Sequence, residues 1–216
     1  MAGTQPVERF YLQPTTYSAN SPLPVLLYRN VLPSPRSQSG TSEFLQEGGW
    51  EDRGTFGHIA TPHFHPNAHE CYGIFQGTST LRIGRGKHDA HSSGILIPIA
   101  TGDVVVIPAG VTHSSVDSTD DYRYVGVYPR RAPRWRNEFG KEPVDLVKVR
   151  GETETVEMPE DDPVYGAEGP LVPLWTEAKE RAERAAEGQV QGEGEGEGRG
   201  FIGTALRVTR MAFVGF

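Results

Sequence analysis

The chain has 216 residues, with 26 glycines, 17 prolines, a single cysteine and a formal net charge of -7. That length supports one sizeable core with tails, and so many turn-forming residues favour an all-β domain over a helical bundle. The acidic balance excludes a nucleic-acid footprint, the lone Cys71 excludes an intrachain disulfide, and no run reaches the roughly 18 apolar residues of a membrane span.

Residues 1–20 read as an N-terminal arm with little core-forming power. The arm lacks the apolar stretch of a secretory signal, so the expectation is a cytoplasmic protein. Residues 21–130 read as the β domain. "PLPVLLYRNVL" has the composition of a first strand, and "PSPRSQSGTSE" that of a loop. "FLQEGGW" (Phe44–Trp50) reads as a short helix ending at its glycine pair. From Phe56 to Pro129, short apolar strands alternate with turn signals such as Gln76–Gly77–Thr78 and Thr101–Gly102–Asp103. This spacing predicts a small sandwich or barrel.

Residues 131–175 read as an irregular extension, anchored on the barrel by Trp135, Val156, Met158, Tyr165, Leu171 and Trp175. Residues 176–188 read as a helix, with Glu177–Arg181 and Glu180–Arg184 at i,i+4 in the favourable order. Residues 189–216 are a Gly/Glu-rich linker and an apolar tail, expected to be poorly ordered.

Four of the seven histidines fall between Gly57 and Gly77. His63 and His65 are two apart, so on a strand both face one side and present two nitrogens to one ion. Pro66 then resets the register, and simple alternation cannot decide whether His69 or Glu70 turns inward. Cys71, next to Glu70, takes the opposite facing and reads as a small core residue. Further on, "GDVVVIPAGVTH" delivers His113 after a strand and a Pro-x-Gly turn, where it could complete the first pair's ion. His58, His88 and His91 read as background. Tyr122, Tyr124 and Tyr128 read as core or pocket wall.

Gly57-x5-His63-x-His65-x4-Glu70-x6-Gly77 resembles the first motif of the cupins. Gly102-x5-Pro108-x-Gly110-x2-His113 resembles the second. The one departure is Asp117, where the second motif usually ends in Asn. With "LPVLLYR", "GGW", "VGVYP", "DDPVYG" and "GPLVPLW", the stretch from Pro22 to Trp175 is similar to the YjlB-type cupins. The resemblance implies a single cupin β-barrel, an RmlC-like double-stranded β-helix or jelly roll, with peripheral loops and one C-terminal helix. It implies metal ligands at His63, His65, Glu70 and His113, and pairing into a homodimer. The ion would be one divalent transition metal, with Fe, Mn or Ni ahead of Zn or Cu.

Such a site points to an enzyme acting on a small oxygenated or acidic metabolite. The reaction would be oxygenation, or isomerisation or decarboxylation through a metal-bound enolate. His69, Tyr72, Tyr124 and Asp117 are the candidates for proton handling. The alternative is a non-catalytic cupin that binds a metal or small molecule. Neither nucleic acid nor membrane is an expected partner.

Overall fold

The computed structural model describes residues 6–194, with side chains to Glu187. Its strands are β1 (Glu8–Phe10), β2 (Val25–Tyr28), β3 (Trp50–Phe56), β4 (Glu70–Gln76), β5 (Thr78–Ile83), β6 (Ile95–Ala100), β7 (Val104–Ile107), β8 (His113–Ser118) and β9 (Arg123–Pro129). Helices α1 (Gln38–Glu47), α2 (Leu146–Glu154) and α3 (Leu171–Gly194) complete it. The strands form a six-stranded sheet, ordered β1-β2-β7-β4-β9-β3, and a three-stranded sheet, ordered β6-β5-β8. Every strand pair is antiparallel. The class is all-β, as composition and strand spacing predict.

Alternation along the strands produces two cores. Val25, Leu27, Tyr72, Ile74, Val105 and Ile107 of the larger sheet meet Leu81, Ile83, Ile97 and Ile99 of the smaller one in a buried cluster. Their neighbours Leu26, Tyr28, Cys71, Val104, Val106, Val125 and Val127 point to the other face, where Leu45, Leu171 and Trp175 join them. β4 is therefore buried on both sides, and its residues read out alternately into two environments.

The compact unit Met1–Glu180 holds both sheets; of the second unit, Arg181–Phe216, only the helical turns to Gly194 are described. Several elements differ from their sequence-based expectations. The arm supplies β1, paired with β2 in the register Glu8↔Leu27, and buries Ser18, Ala19 and Asn20. Helix α1 starts at Gln38, inside the stretch expected to be a loop. Ser37 caps it by accepting from Gly40 N at 3.1 Å, and Thr41 and Leu45 are buried, so cap and packing override weak propensity. Trp50 opens β3 and donates Nε1–H to the Asp161 carbonyl at 3.0 Å.

In the extension, α2 forms behind Asp145, which accepts from Lys148 N at 3.0 Å. None of its residues is buried, which is why no apolar stripe announces it. Helix α3 begins at Leu171, five residues before the expected start at 176. Asp162 accepts Leu171 N–H at 3.0 Å, and Leu171, Trp175 and Ala178 are buried at helical spacing. The helix also runs on past Gly188, since one glycine costs a helix only about 1 kcal/mol. The tail from 195 to 216, expected to be poorly ordered, lies outside the described residues.

Candidate metal centre

The three histidines reach one point from three different backbone settings. His63 sits in a bridge to His113, with His63 N donating to His113 O at 3.2 Å and His113 N donating back at 2.9 Å. His65 follows two residues on, and its carbonyl accepts from Gly110 N at 2.9 Å. Gly110 has φ +83, a left-handed turn that suits glycine and swings the chain into β8. His113 opens β8. Glu70 opens β4 and is paired with Ile107 of β7, so it shares the inward face of Tyr72 and Ile74.

Each imidazole is oriented from behind. Nδ1–H of His63 donates to Thr61 O at 2.9 Å, that of His65 to Arg136 O at 3.1 Å, and that of His113 to Val111 O at 3.0 Å. This tautomer leaves every Nε2 with a free lone pair, the arrangement a metal requires. One ligand atom from each of His63, His65 and His113 lies within 4.8 Å of the other two, and all three residues are buried. Among the described residues this is the one such group.

Glu70 stands beside it. Its Oε2 lies 3.2 Å from Nε2 of His65 and 3.2 Å from Nε2 of His113. These three atoms are buried and have no hydrogen-bond partner, so their directions do not satisfy one another despite the short separations. Leaving such groups unpaired costs about 1–3 kcal/mol each. Neighbouring ligands bonded at about 2.1 Å and at right angles stand roughly 3 Å apart. The donor set thus fits a transition ion. Glu70 Oε1 is occupied separately, by a short hydrogen bond from the Tyr128 hydroxyl.

Electrostatics agree with ligand duty for His63 and Glu70. Burial, with the charges of His113 and His65, lowers the His63 pKa to about 3, so its ring is neutral at ordinary pH. Burial opposes charge on His65 as well, but its contact with Glu70 outweighs burial and raises the pKa. Burial would push Glu70 up; the imidazoles of His113 and His65 instead hold it well below the usual carboxylate range. Burial first, and the Glu70 charge next, push Tyr72, Tyr124 and Tyr128 above the ordinary tyrosine value.

The site opens into a cavity of about 190 Å³, walled by Phe56, Tyr72, Tyr124, Trp135 and Phe139. Tyr72 and Tyr124, two of the proton-handling candidates, therefore do face it. The other two do not. Asp117 is exposed on β8, and its Oδ1 accepts from Thr80 N at 3.1 Å. The register shift between Thr80 and Leu81 carries it out of the inward alternation of His113 and Ser115. His69 is buried on the opposite face. Its Nδ1 accepts from Ala109 N at 3.0 Å, its ring lies 4.7 Å from Trp175, and it lines a separate cavity of about 390 Å³. Cys71 is a buried core residue whose thiol pKa burial pushes up.

Sequence reasoning missed two contacts. Tyr128, read as core or pocket wall, does share the face of Tyr124 at a spacing of four on β9, but its bond to Glu70 was not foreseen. Trp135 lies 4.9 Å from the Tyr128 ring, almost parallel at 8°, and no local pattern marks it.

A cupin family model matches residues 53–127. The uncharacterized protein YjlB of Bacillus subtilis is 28% identical over 153 residues, covering 70% of this chain and 86% of that protein. Among solved structures, an 11S globulin from Wrightia tinctoria has 13% identity and a TM-score of 0.32, over 48% of this chain and 29% of that one. A DUF861 family protein from Thermotoga maritima has 15% identity and a TM-score of 0.28, over 47% of this chain and 96% of that one. The segment from 53 to 127 thus matches the cupins, and most of the chain is similar to YjlB.

Proposed function

We propose that the protein is a metal-dependent enzyme acting on a small oxygenated or acidic metabolite, with one divalent transition ion held by His63, His65, Glu70 and His113. The carrying observation is the convergence of unpartnered Nε2 atoms of His65 and His113 and Oε2 of Glu70 at the foot of an open cavity. Imidazole suits iron, nickel, zinc and copper, and a carboxylate extends the range to manganese. Four protein ligands leave two positions on a six-coordinate ion, which favours iron, manganese or nickel over a zinc site of three ligands and one opening.

When bound, the ion supplies Lewis acidity toward a substrate oxygen. The residues supply the rest. Tyr128 holds Glu70 by one oxygen, and three carbonyls hold the imidazoles. Phe56, Trp135 and Phe139 give the cavity an apolar wall. Tyr72 and Tyr124 stay protonated and offer hydroxyls to the substrate. The reaction class is oxygenation, or isomerisation or decarboxylation. A homodimer in the cytoplasm is part of this reading, and light scattering tests the dimer.

One observation favours a second reading, a non-catalytic binding protein. Apart from the proposed ligands, no imidazole or carboxylate lines the cavity among the described residues, so no free general base stands there. The two readings separate in one assay. Oxygen uptake and product formation are measured with a panel of keto acids, diketones and phenols. Turnover that disappears in His113→Ala supports the enzyme; binding without turnover across the panel supports the second reading.

A further inference from the structure

The wall of the cavity narrows what can enter. Of its lining residues outside the donor set, Thr61 and Asn137 are polar and uncharged, and the rest are aromatic or aliphatic. No lysine or arginine lines it. The nearby cations each have another partner. Arg53 stands 5.3 Å from the Tyr128 ring centroid, but its guanidinium donates to the carbonyls of Pro133 and Ala132. Arg136 pairs with Glu138 and Glu152 at 3.2 and 2.8 Å. Arg134 and Lys141 lie over the rings of Trp135 and Phe139, at 5.6 and 6.0 Å.

The aromatic residues form a continuous set. Phe56 meets Tyr124 at 5.7 Å and, edge-on, Trp135 at 6.4 Å. Tyr72 lies 3.9 Å from Tyr124, and Trp135 stacks on Tyr128. Flat ring faces and edges favour a flat, unsaturated guest. The volume, about 190 Å³, is single-ring in scale, since a cavity of about 150 Å³ accepts benzene.

Charge gives the last constraint. Three neutral imidazoles and one carboxylate leave a divalent ion with a net charge of about +1. With no side-chain cation in the wall, one negative charge on the ligand is matched and a second is not.

We infer that the ligand of this site is a planar, ring-sized oxygen donor carrying a single negative charge, an enolate or phenolate, and that small dianions are disfavoured. This rests on the metal centre proposed above. It narrows the oxygenated-or-acidic class to its apolar, singly ionised members, with Trp135 as the wall residue that selects for them.

Calorimetry on the protein with its resident metal, at mildly alkaline pH, tests this, with 4-nitrophenolate, which can carry only one negative charge, and oxalate as probes and metal content measured in the same samples. The expected result is 4-nitrophenolate binding at least about tenfold tighter than oxalate. Trp135→Ala should weaken 4-nitrophenolate about fivefold per bound metal, more than it weakens oxalate, and be rescued by Trp135→Phe. Phe139→Ala, at a residue 38% exposed, gives a second variant with little risk to folding, and the same direction is expected. Oxalate binding as tightly as 4-nitrophenolate in metal-loaded protein overturns the inference and leaves the metal centre standing. Protein that holds no metal overturns the metal centre, and the inference with it.

Discussion

The Tyr128 hydroxyl donates to Oε1 of Glu70 and leaves Oε2 alone to face the imidazoles of His65 and His113. One carboxylate is thereby divided between a structural partner and an open duty. Both residues come from the larger sheet, Glu70 at the start of β4 and Tyr128 near the end of β9, two strands paired edge to edge.

Tyr128→Phe removes that division. Glu70 is then free to rotate, and metal affinity should fall about 10–100-fold, the usual cost of losing a group that orients a ligand. Competition against a chromophoric chelator measures it. Unchanged affinity would show that Glu70 is held by the barrel alone.

Tyr28 makes a comparable bond on the outer face of the same sheet, donating to Asp162 Oδ2 at 2.6 Å. Asp162 is fully buried and also caps the start of α3. Tyr28→Phe should cost about 1–3 kcal/mol in urea unfolding at neutral pH, because the carboxylate loses a donor. Burial first, then the Asp162 charge, raise the Tyr28 pKa well above 10 in the folded protein. The folded state therefore keeps a proton that the unfolded state releases. Tyr28's contribution is complete below pH 10 and should decline above it by up to about 1.4 kcal/mol per pH unit. The Phe variant should lose stability less steeply above pH 10 than the parent.

Gly73 of β4 faces α1 with no room for a side chain. A Cβ there would lie 2.5 Å from Thr41 Cγ2 and 2.7 Å from Leu45 Cδ1. Gly73→Ala should destabilise by about 1–3 kcal/mol through overpacking, and adding Thr41→Ser should recover part of it. Chemical denaturation of the three variants checks both steps. Metal content should stay at the parent level, since Gly73 faces away from the site.

The barrel and most of its site were legible because β structure alternates with a fixed period. His63 and His65 share a face at a spacing of two, and the Pro-x-Gly turn delivers His113 to the same place. Alternation does not carry past Pro66, where a turn intervenes and the inward parity of Glu70 is fixed only by its pairing with Ile107. His69 accordingly falls on the outer face, against Trp175. Asp117 was misplaced for a related reason, a register shift within β5–β8 that no local residue signals. Trp135 was visible as an apolar anchor, but its partner Tyr128 lies on a different element, and such a contact has no sequence period. Helix α2 has no buried face, so hydrophobic patterning could not find it.

The metal centre itself is tested most directly by metal stoichiometry. Protein is purified without added metal, and bound ions are counted by inductively coupled plasma mass spectrometry in the parent, His63→Ala, His113→Ala and Asp117→Ala. A centre built from His63, His65, Glu70 and His113 requires close to one transition ion per chain in the parent and in Asp117→Ala, with most of it lost in both histidine variants. A parent with no bound ion, or histidine variants that keep it, would contradict the centre.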